Sequence, residues 1–260
     1  KPELTSRQLR EHGEKRMVQM VENLSTAHID NLTSVKAMAD GFWVMFDYNR
    51  GYTDEVEASG VMSLDRLPKY AYYYYRSLRP EGEPMVYIAS YLDENSPAEK
   101  AIISNCEEVK LITNGKEVAS LHFDIKATPM RTFQKVLLPD CNNLTAVGYR
   151  NGKEVARHTV SSPEALTKLA IELSECGVKL GKNDQIFVYV RLQDKNGTVP
   201  NFTGGEVRLS VEGDAVIEGE RVSPFRAGVA SFIIRSGIKG GEIKVKAEYG
   251  TMTNSAQISF

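Results

Sequence analysis

The sequence is poor in the residues that carry most metal and redox chemistry. Its 260 residues include three cysteines (Cys106, Cys141 and Cys176), four histidines and one tryptophan. The cysteines are too scattered for a zinc motif and too few for a disulfide framework. We therefore expect buried free thiols, with a disulfide between Cys106 and Cys141 as the alternative. The histidines show no HExxH or Ser–His–Asp context, and we predict no metal and no cofactor.

The sequence also lacks an excess of positive charge and any long apolar run. Lysine and arginine number 32 against 34 acidic residues, and the net charge is -2. Because affinity for phosphate comes from clustered basic residues, this balance argues against nucleic-acid binding and against an anionic membrane surface. No run approaches the ~18 apolar residues of a membrane span. The chain begins KPELTSRQLREHGEKR, without an initiator methionine or a signal-peptide core, and we expect a piece of a longer protein.

The first 82 residues are patterned as helix, short strand and helix. Residues 14–24 place apolar side chains at i, i+3, i+4 and i+7, which predicts a helix with one buried face. Residues 41–46 contain no polar residue, which predicts a strand buried on both faces, as in a parallel sheet. PKYAYYYYRSL, from Pro68, predicts a second helix whose tyrosines contact protein over most of its circumference. This order is typical of the last part of a β/α architecture, and it is too short to bury a core alone.

Residues 83–161 are patterned as β-structure throughout. MVYIASYL is predicted to be the first strand. Two hairpins follow, each with an Asn-Gly pair between alternating segments, at Asn114-Gly115 and at Asn151-Gly152. Asn-Gly favours the positive φ angles of a type I′ turn, the strongest short-range hairpin signal. We interpret the repeated NGKEVA as two similar hairpins of one sandwich rather than as a gene duplication.

Residues 162–260 also predict β-structure, with one ambiguous segment. ALTKLAIELSECG can be written as a helix, but Leu169, Ile171 and Leu173 alternate, which favours a strand. Turn signals recur about every ten residues, as in an immunoglobulin-like sandwich. We therefore predict a mainly β chain: a truncated β/α segment at 1–82, then two immunoglobulin-like β-sandwiches at 83–161 and 162–260.

The stretch ADGFWVMFDYNRG holds the candidate site residues Trp43 and Asp47. Trp43, at the end of the predicted buried strand, either fills the core or offers a stacking surface for the C–H-rich face of a sugar. Asp47 either orients a ligand or caps the following loop. Hydrolysis of a glycoside needs two carboxylates that converge from different strands, and Asp47 alone follows a convincing strand. DKNG at 194–197 resembles part of a calcium loop, but we interpret it as a hairpin turn because the other ligands are missing.

A longer stretch, DGFWVMFDYNRGYTDEVEASGVMSLDRLPKYAYYYYRS, resembles the end of the catalytic barrel in glycoside hydrolase family 2. This is the family of β-galactosidases and β-glucuronidases. In it, the eighth barrel strand ends in a tryptophan that lines the sugar subsite, followed by a loop, a G…D…R.PK segment and a closing helix. The residues that match this segment are Gly60, Asp65, Arg66, Pro68 and Lys69. The two β zones are similar to sandwich domains that follow the barrel in bacterial members.

The resemblance implies that residues 1–82 are the C-terminal remnant of a TIM barrel. The parent would be a periplasmic or extracellular bacterial enzyme that hydrolyses β-glycosides, most simply β-galactosides, with retention. Both catalytic glutamates of the family would precede Lys1, so no catalytic residue is assigned and the 260-residue chain is expected to be inactive. The resemblance carries over Trp43 as a sugar platform and Asp47 as a rim residue.

Two other functions compete with this one. A sandwich can bind carbohydrate through exposed aromatic side chains, for which Phe202 and Phe225 are the obvious candidates in the third zone. The sandwiches can also brace the barrel. A barrel end without its barrel exposes apolar surface at Val44, Phe46 and the tyrosine-rich helix. We therefore expect residues 1–80 to pack onto the neighbouring sandwich or to pair with a second copy in a homo-oligomer.

Overall fold

The chain divides into two units, Lys1–Ser162 and Pro163–Phe260. The computed structural model describes residues 1–79, 81–174 and 177–260. Among the described residues, strands contain more residues than helices in both units, which confirms the predicted mainly β class. The further boundary near residue 82 stays a prediction. Neither helix of the described residues combines the length and apolarity needed to cross a bilayer.

Helix α1 (Glu14–Thr33) has the buried face that its sequence predicts. Two short 3-10 turns, Pro2–Leu4 and Arg10–His12, precede it. Four buried apolar side chains line that face: Met17, Met20, Val21 and Leu24. The i, i+3, i+4, i+7 spacing is therefore confirmed as the signature of a helix that packs on one side.

The strand predicted at residues 41–46 is wrong. The segment forms no strand ladder: Phe46 makes an isolated bridge to Met62, and the carbonyl oxygens of Val44 and Met45 accept the backbone N–H groups of Val61 at 3.1 Å and Met62 at 2.9 Å. Trp43 is 71% exposed and Met45 is 55% exposed. A strand is buried on both faces only where neighbouring strands and covering helices enclose it, and the described chain supplies no second full strand here. A two-residue pair follows, β1 (Tyr48–Asn49) with β2 (Val56–Glu57).

The second helix, α2 (Tyr70–Ser77), begins two residues after Pro68, with Lys69 at its N-cap. Tyr70 and Tyr74 are buried, and the other three tyrosines are half-buried. The prediction that this helix contacts protein over most of its circumference is therefore confirmed.

Seven strands follow in the first unit and build two facing sheets. Their bounds are β3 Val86–Ala89, β4 Glu99–Ser104, β5 Glu108–Thr113, β6 Lys116–His122, β7 Phe133–Leu137, β8 Asn143–Arg150 and β9 Lys153–Ser161. The orders are β3-β4-β7 and β6-β5-β8-β9. Asn114 and Gly115 have φ of 49° and 74°, and Asn151 and Gly152 have 48° and 72°. Both hairpins predicted from Asn-Gly are thus confirmed, because positive φ at both central residues defines a type I′ turn.

The two helices pack onto the sheet that contains β3 and β4. Their apolar side chains share one buried cluster with Ala89, Ala101 and Ile103. Tyr73 stacks on Tyr87 with ring centroids 3.6 Å apart. We expected residues 1–80 either to pack onto the neighbouring sandwich or to pair with a second copy. The two helices pack onto the sandwich.

A buried carboxylate adds a polar connection between α1 and the loop after β3. Oε2 of Glu14 accepts hydrogen bonds from Ser90 Oγ at 3.0 Å, the Tyr91 backbone N–H at 2.9 Å and Ser96 Oγ at 2.5 Å. Three donors satisfy a charge that would otherwise be costly to bury. The N-terminus of α1 is thereby fixed to the sandwich.

The second unit is a sandwich of two four-stranded sheets. Its strands are β10 Leu166–Ser174, β11 Gln185–Asp194, β12 Gly204–Glu212, β13 Ala215–Glu218, β14 Val222–Phe225, β15 Val229–Ser236, β16 Glu242–Tyr249 and β17 Met252–Ser259. The orders are β10-β11-β15-β13 and β14-β12-β16-β17. The prediction of a strand rather than a helix from Leu166 is confirmed for the described residues.

Two aromatic residues considered for glycan binding lie in the core of the second unit. Phe225 is fully buried, and Phe202 packs against the same cluster with the ring centroids 6.0 Å apart. The use of Phe225 as a carbohydrate platform is therefore wrong, because burial leaves no ring face open to a sugar. Phe202 is half-buried in the loop before β12, and its use stays a prediction.

Cys106 is a buried free thiol and Cys141 is a half-buried one. The alternative of a disulfide between them is wrong, since Cys106 packs inside the sandwich core with its Sγ 3.6 Å from the Met85 carbonyl oxygen. Burial raises the pKa of Cys106, which keeps the thiol protonated and unreactive. Cys176 lies outside the described residues.

The DKNG segment forms a turn, but the predicted hairpin is wrong, because β11 before it and β12 after it lie in different sheets. Oδ1 of Asp194 accepts the backbone N–H groups of Asn196 at 2.8 Å and Thr198 at 2.9 Å, and Oδ2 accepts that of Glu164 at 3.0 Å. The carboxylate is thus occupied by backbone N–H groups of its own turn and of Glu164. Within residues 1–79, 81–174 and 177–260, no group of three or more His, Cys, Asp or Glu side chains is arranged to hold a metal ion.

Candidate functional site

Trp43 is presented at the surface and held by one neighbour. Its Nε1–H donates to the Tyr48 hydroxyl at 3.2 Å, and the two rings meet edge to face with centroids 6.3 Å apart. The core-filling interpretation of Trp43 is wrong, because 71% of the residue is exposed. The indole N–H is engaged by Tyr48, so the ring face is the part of Trp43 that can receive a ligand. Its use as a sugar platform stays a prediction.

Asp47 lies beneath the surface and joins three segments of the chain. Its Oδ1 accepts the Gly60 backbone N–H at 2.9 Å and the Lys69 ammonium at 2.7 Å. Lys69 Nζ also donates to the Ala58 carbonyl oxygen at 3.1 Å. Of the two interpretations of Asp47, these contacts are those of a loop cap. Its role as a rim residue stays a prediction, and any such role would act through the loop it holds.

Burial dominates the electrostatics of the Asp47–Lys69 pair. Both side chains are fully shielded from water. Desolvation raises the pKa of Asp47 to about 6, and the Lys69 charge acts in the opposite direction. Desolvation lowers the pKa of Lys69, and the Asp47 charge opposes that shift. Each group therefore depends on the other, since removal of either partner would leave an uncompensated buried charge.

Gly60 is required by the close approach of two loop segments. A Cβ atom at this position would overlap the backbone nitrogen of Asp47 and the carbonyl carbon of Phe46, and would lie 2.6 Å from the Met62 carbonyl oxygen. No side chain fits there without a shift of the backbone. The glycine in the SGVM segment thus has a structural reason: it lets Asp47 reach the 58–62 segment.

A second buried carboxylate holds the base of the hairpin that follows Asp47. Glu57 pairs with Arg50 across the hairpin and with Arg7, whose Nε lies 3.2 Å from Glu57 Oε1. The Glu57 side chain is 3% exposed. Glu57 therefore has a structural role, since its buried carboxylate pairs with two arginines from different parts of the chain.

Sequence reasoning missed two of these supporting residues. Tyr48 was not considered beside Trp43, although an aromatic hydroxyl five positions away could reach the indole N–H. Lys69 was noted only as part of the PK match, and its partner lies 22 residues away. Pairing a lone lysine in an apolar context with a nearby carboxylate is the signal that could have found it, because buried charges are rarely unpaired.

The fold and this geometry define a class: a β-sandwich protein whose first unit supports an exposed aromatic side chain on a charge-clamped loop. No family model matches the chain. The chain is 31% identical over 241 residues to a β-galactosidase of Thermoanaerobacter pseudethanolicus, covering 84% of the chain and 32% of that protein. It is 28% identical over 101 residues to a β-galactosidase of Rhizobium radiobacter, covering 39% of the chain and 73% of that protein.

Solved structures show the same fold. A β-glycosidase from Bacteroides vulgatus matches with a TM-score of 0.71 at 21% identity, over 84% of this chain and 30% of that one. A β-glucuronidase from glycoside hydrolase family 2 matches with a TM-score of 0.63 at 21% identity, over 78% of this chain and 23% of that one. The homologues and structural neighbours are thus glycoside hydrolases of the β-galactosidase and β-glucuronidase type. The chain spans about a third of the length of the Thermoanaerobacter relative.

Proposed function

We propose that the chain is the C-terminal part of a retaining glycoside hydrolase of family 2 that acts on β-glycosides, with β-galactosides preferred. The observation that carries the proposal is the placement of Trp43. In the stretch that resembles the end of the eighth barrel strand, the one tryptophan of the chain is exposed and oriented by Tyr48. The β-galactosidase relatives support the substrate class.

In this proposal, residues 1–82 complete a barrel whose other strands belong to preceding chain. The exposed apolar side chains of the segment support this assignment, because surfaces of this kind mark interaction sites. The large apolar side chains exposed in this region are Leu4, Leu32, Val35, Met38, Trp43, Met45, Tyr52 and Leu64. Loops after barrel strands carry the active sites of TIM-barrel enzymes, and in this proposal Trp43 and the hairpin after it would therefore lie at the substrate.

The residues of this chain would bind and position the sugar rather than react with it. The face of Trp43 would stack on the C–H face of the sugar while Tyr48 fixes the tilt of the ring. The Asp47–Lys69 pair and Gly60 would hold the loop beneath. Retaining hydrolysis needs an acid/base carboxylate and a nucleophile carboxylate about 5–5.5 Å apart, and the proposal places both in the preceding chain.

The sandwich of the first unit would support the segment that carries Trp43. The carboxylate of Glu14 bonded to the loop after β3, and the stack of Tyr73 on Tyr87, both hold helices of the barrel remnant against a sheet. A segment fixed in this way would keep Trp43 in place before the ligand binds, which is the condition for a preorganised site.

Activity assays with chromogenic β-galactosides and β-glucuronides test the proposal. The 260-residue chain should show no turnover, whereas the gene product that contains it should hydrolyse the galactoside. In that gene product, Trp43→Ala should lower kcat/KM by about tenfold or more, because a stacking surface is lost. Leu137→Ala, which truncates an equally exposed side chain of β7, is the control. Turnover by the 260-residue chain after repurification, or a Trp43→Ala enzyme with the wild-type kcat/KM, would refute the proposal.

A further inference from the structure

The hairpin of β1 and β2 is connected directly to Trp43. Tyr48 is the first residue of β1, and its hydroxyl accepts the indole N–H at 3.2 Å. The strands pair Tyr48 with Glu57 and Asn49 with Val56, so residues 50–55 form the tip of the hairpin. The tip is therefore carried by the same residue that orients Trp43.

Buried charges fix the base of this hairpin at both strands. On β1, Tyr48 follows Asp47, whose carboxylate is bonded to Gly60 and Lys69. On β2, the Glu57 carboxylate pairs with Arg50 and Arg7. A short two-stranded ribbon has little stability of its own. The contacts of Asp47 and Glu57 stabilise this one. The direction of the tip relative to Trp43 is thus set by the protein.

The tip presents an aromatic ring among oxygen acceptors. Tyr52 is 79% exposed, and the side chains of Thr53, Asp54 and Glu55 beside it are exposed as well. An aromatic face with neighbouring hydroxyl and carboxylate oxygens is suited to a sugar ring, which offers C–H groups to the face and hydroxyl donors to the oxygens. Trp43 and Tyr52 therefore offer two separate ring faces on one anchored segment.

We infer that Tyr52 is a specificity-determining residue that stacks on a second sugar, the one released when the glycosidic bond is cleaved. This inference rests on the proposed function, in which Trp43 receives the sugar that is transferred. It assigns the substrate class as an oligosaccharide with a β-glycoside at its non-reducing end, rather than a glycoside of a small alcohol.

Steady-state kinetics of the gene product that contains this chain can distinguish the contribution of Tyr52 to substrate binding from that of Trp43. The substrates are a β-galactosyl disaccharide and methyl β-galactoside, which lacks a second ring. Tyr52→Ala should raise KM for the disaccharide about three- to tenfold, since one stacking contact is removed. It should leave kcat for the disaccharide, and both constants for methyl β-galactoside, unchanged. Tyr52→Phe keeps the ring and should behave as wild type, and Leu137→Ala controls for loss of an exposed side chain.

The outcomes distinguish the inference from the proposed function. Hydrolysis of both substrates with no selective change in Tyr52→Ala would overturn the inference and leave the proposed function standing. An equal loss on both substrates would also overturn it, because the residue would then act on the shared sugar. If the wild-type gene product hydrolyses neither substrate, the proposed function fails and the inference fails with it.

Discussion

Lys69 Nζ lies 2.7 Å from Asp47 Oδ1, and neither side chain has any exposure to water. The pair joins the segment after Trp43 to the N-cap of α2. In a low-dielectric site such a pair contributes little net stability over an apolar pair, but loss of one member is severe.

Asp47→Asn should destabilise the chain by about 3–5 kcal/mol, because the Lys69 ammonium is left buried without a counter-charge. Asparagine keeps the size of the side chain and an oxygen for the Gly60 N–H. The loss of stability therefore measures the effect of removing the Asp47 charge. The double variant Asp47→Leu with Lys69→Met should recover most of the stability, since no buried charge remains. Urea unfolding followed by circular dichroism measures both.

A surface pair serves as the control for this experiment. Lys110 and Glu117 lie 3.3 Å apart and are partly exposed. Glu117→Gln should change the free energy of unfolding by less than about 1 kcal/mol, because water screens such pairs. A neutral Asp47→Asn variant would contradict the buried arrangement of the pair.

Gly60→Ala should destabilise the chain by about 1–3 kcal/mol, the usual cost of inserting a methyl group into a packed site. The added Cβ would overlap the backbone at Asp47 and Phe46, and backbone cannot move aside as a flexible side chain can. Gly41→Ala is the matched control, since nothing lies within 4 Å of a Cβ at that position. Equal midpoints of urea unfolding for the two variants would refute the prediction.

The stability of the first unit should fall in mild acid because of His158. Its Nδ1 accepts the Ile88 backbone N–H at 3.0 Å, and its ring stacks on Tyr87 with centroids 4.8 Å apart. Burial lowers the pKa of His158 from its ordinary value of 6.5. A histidine with a lowered pKa in the folded state contributes stability that is present above pH 6.5 and is lost as the pH falls through the folded pKa. Protonated Nδ1 can no longer accept the Ile88 N–H.

The comparison with His158→Gln isolates this contribution. Below pH 6.5, the free energy of unfolding of the wild type should fall relative to that of the variant by up to about 1.4 kcal/mol per pH unit. The measurement is urea unfolding at a series of pH values between about 8 and 4. Parallel pH profiles for the two proteins would show that His158 does not titrate differently on unfolding.

The features that sequence predicted correctly depend on neighbours within a few residues. The buried face of α1 follows from the 3.6-residue period of Met17, Met20, Val21 and Leu24, and both type I′ hairpins follow from the positive φ that Asn-Gly tolerates. The alternation at the start of β10 predicted a strand in the same way. In each case the physical cause is local, so the single sequence is enough to predict the element.

The features that sequence missed depend on residues far along the chain. The apolar stretch at 41–46 predicted a buried strand, yet burial of a strand requires partner strands. The members of the Asp47–Lys69 pair are 22 positions apart in the sequence, and only the fold brings them together. The same holds for Tyr73, Tyr87 and His158, whose stacked rings come from a helix and two strands. Spacing within a sequence does not record such contacts.

The hydrogen bond from Trp43 to Tyr48 can be tested with the chain alone, since Trp43 is its one tryptophan and therefore its one source of indole fluorescence. Tyr48→Phe removes the acceptor and keeps the ring, so the indole should rotate more freely and its fluorescence anisotropy should fall. The free energy of unfolding should drop by only about 0.5–1.5 kcal/mol, the usual net contribution of one hydrogen bond. Tyr72→Phe, whose ring contacts Tyr73 on α2, should leave the anisotropy unchanged. If Tyr48→Phe gave the wild-type anisotropy, Tyr48 would not be what orients the indole ring, and the orientation of Trp43 would have to come from the backbone.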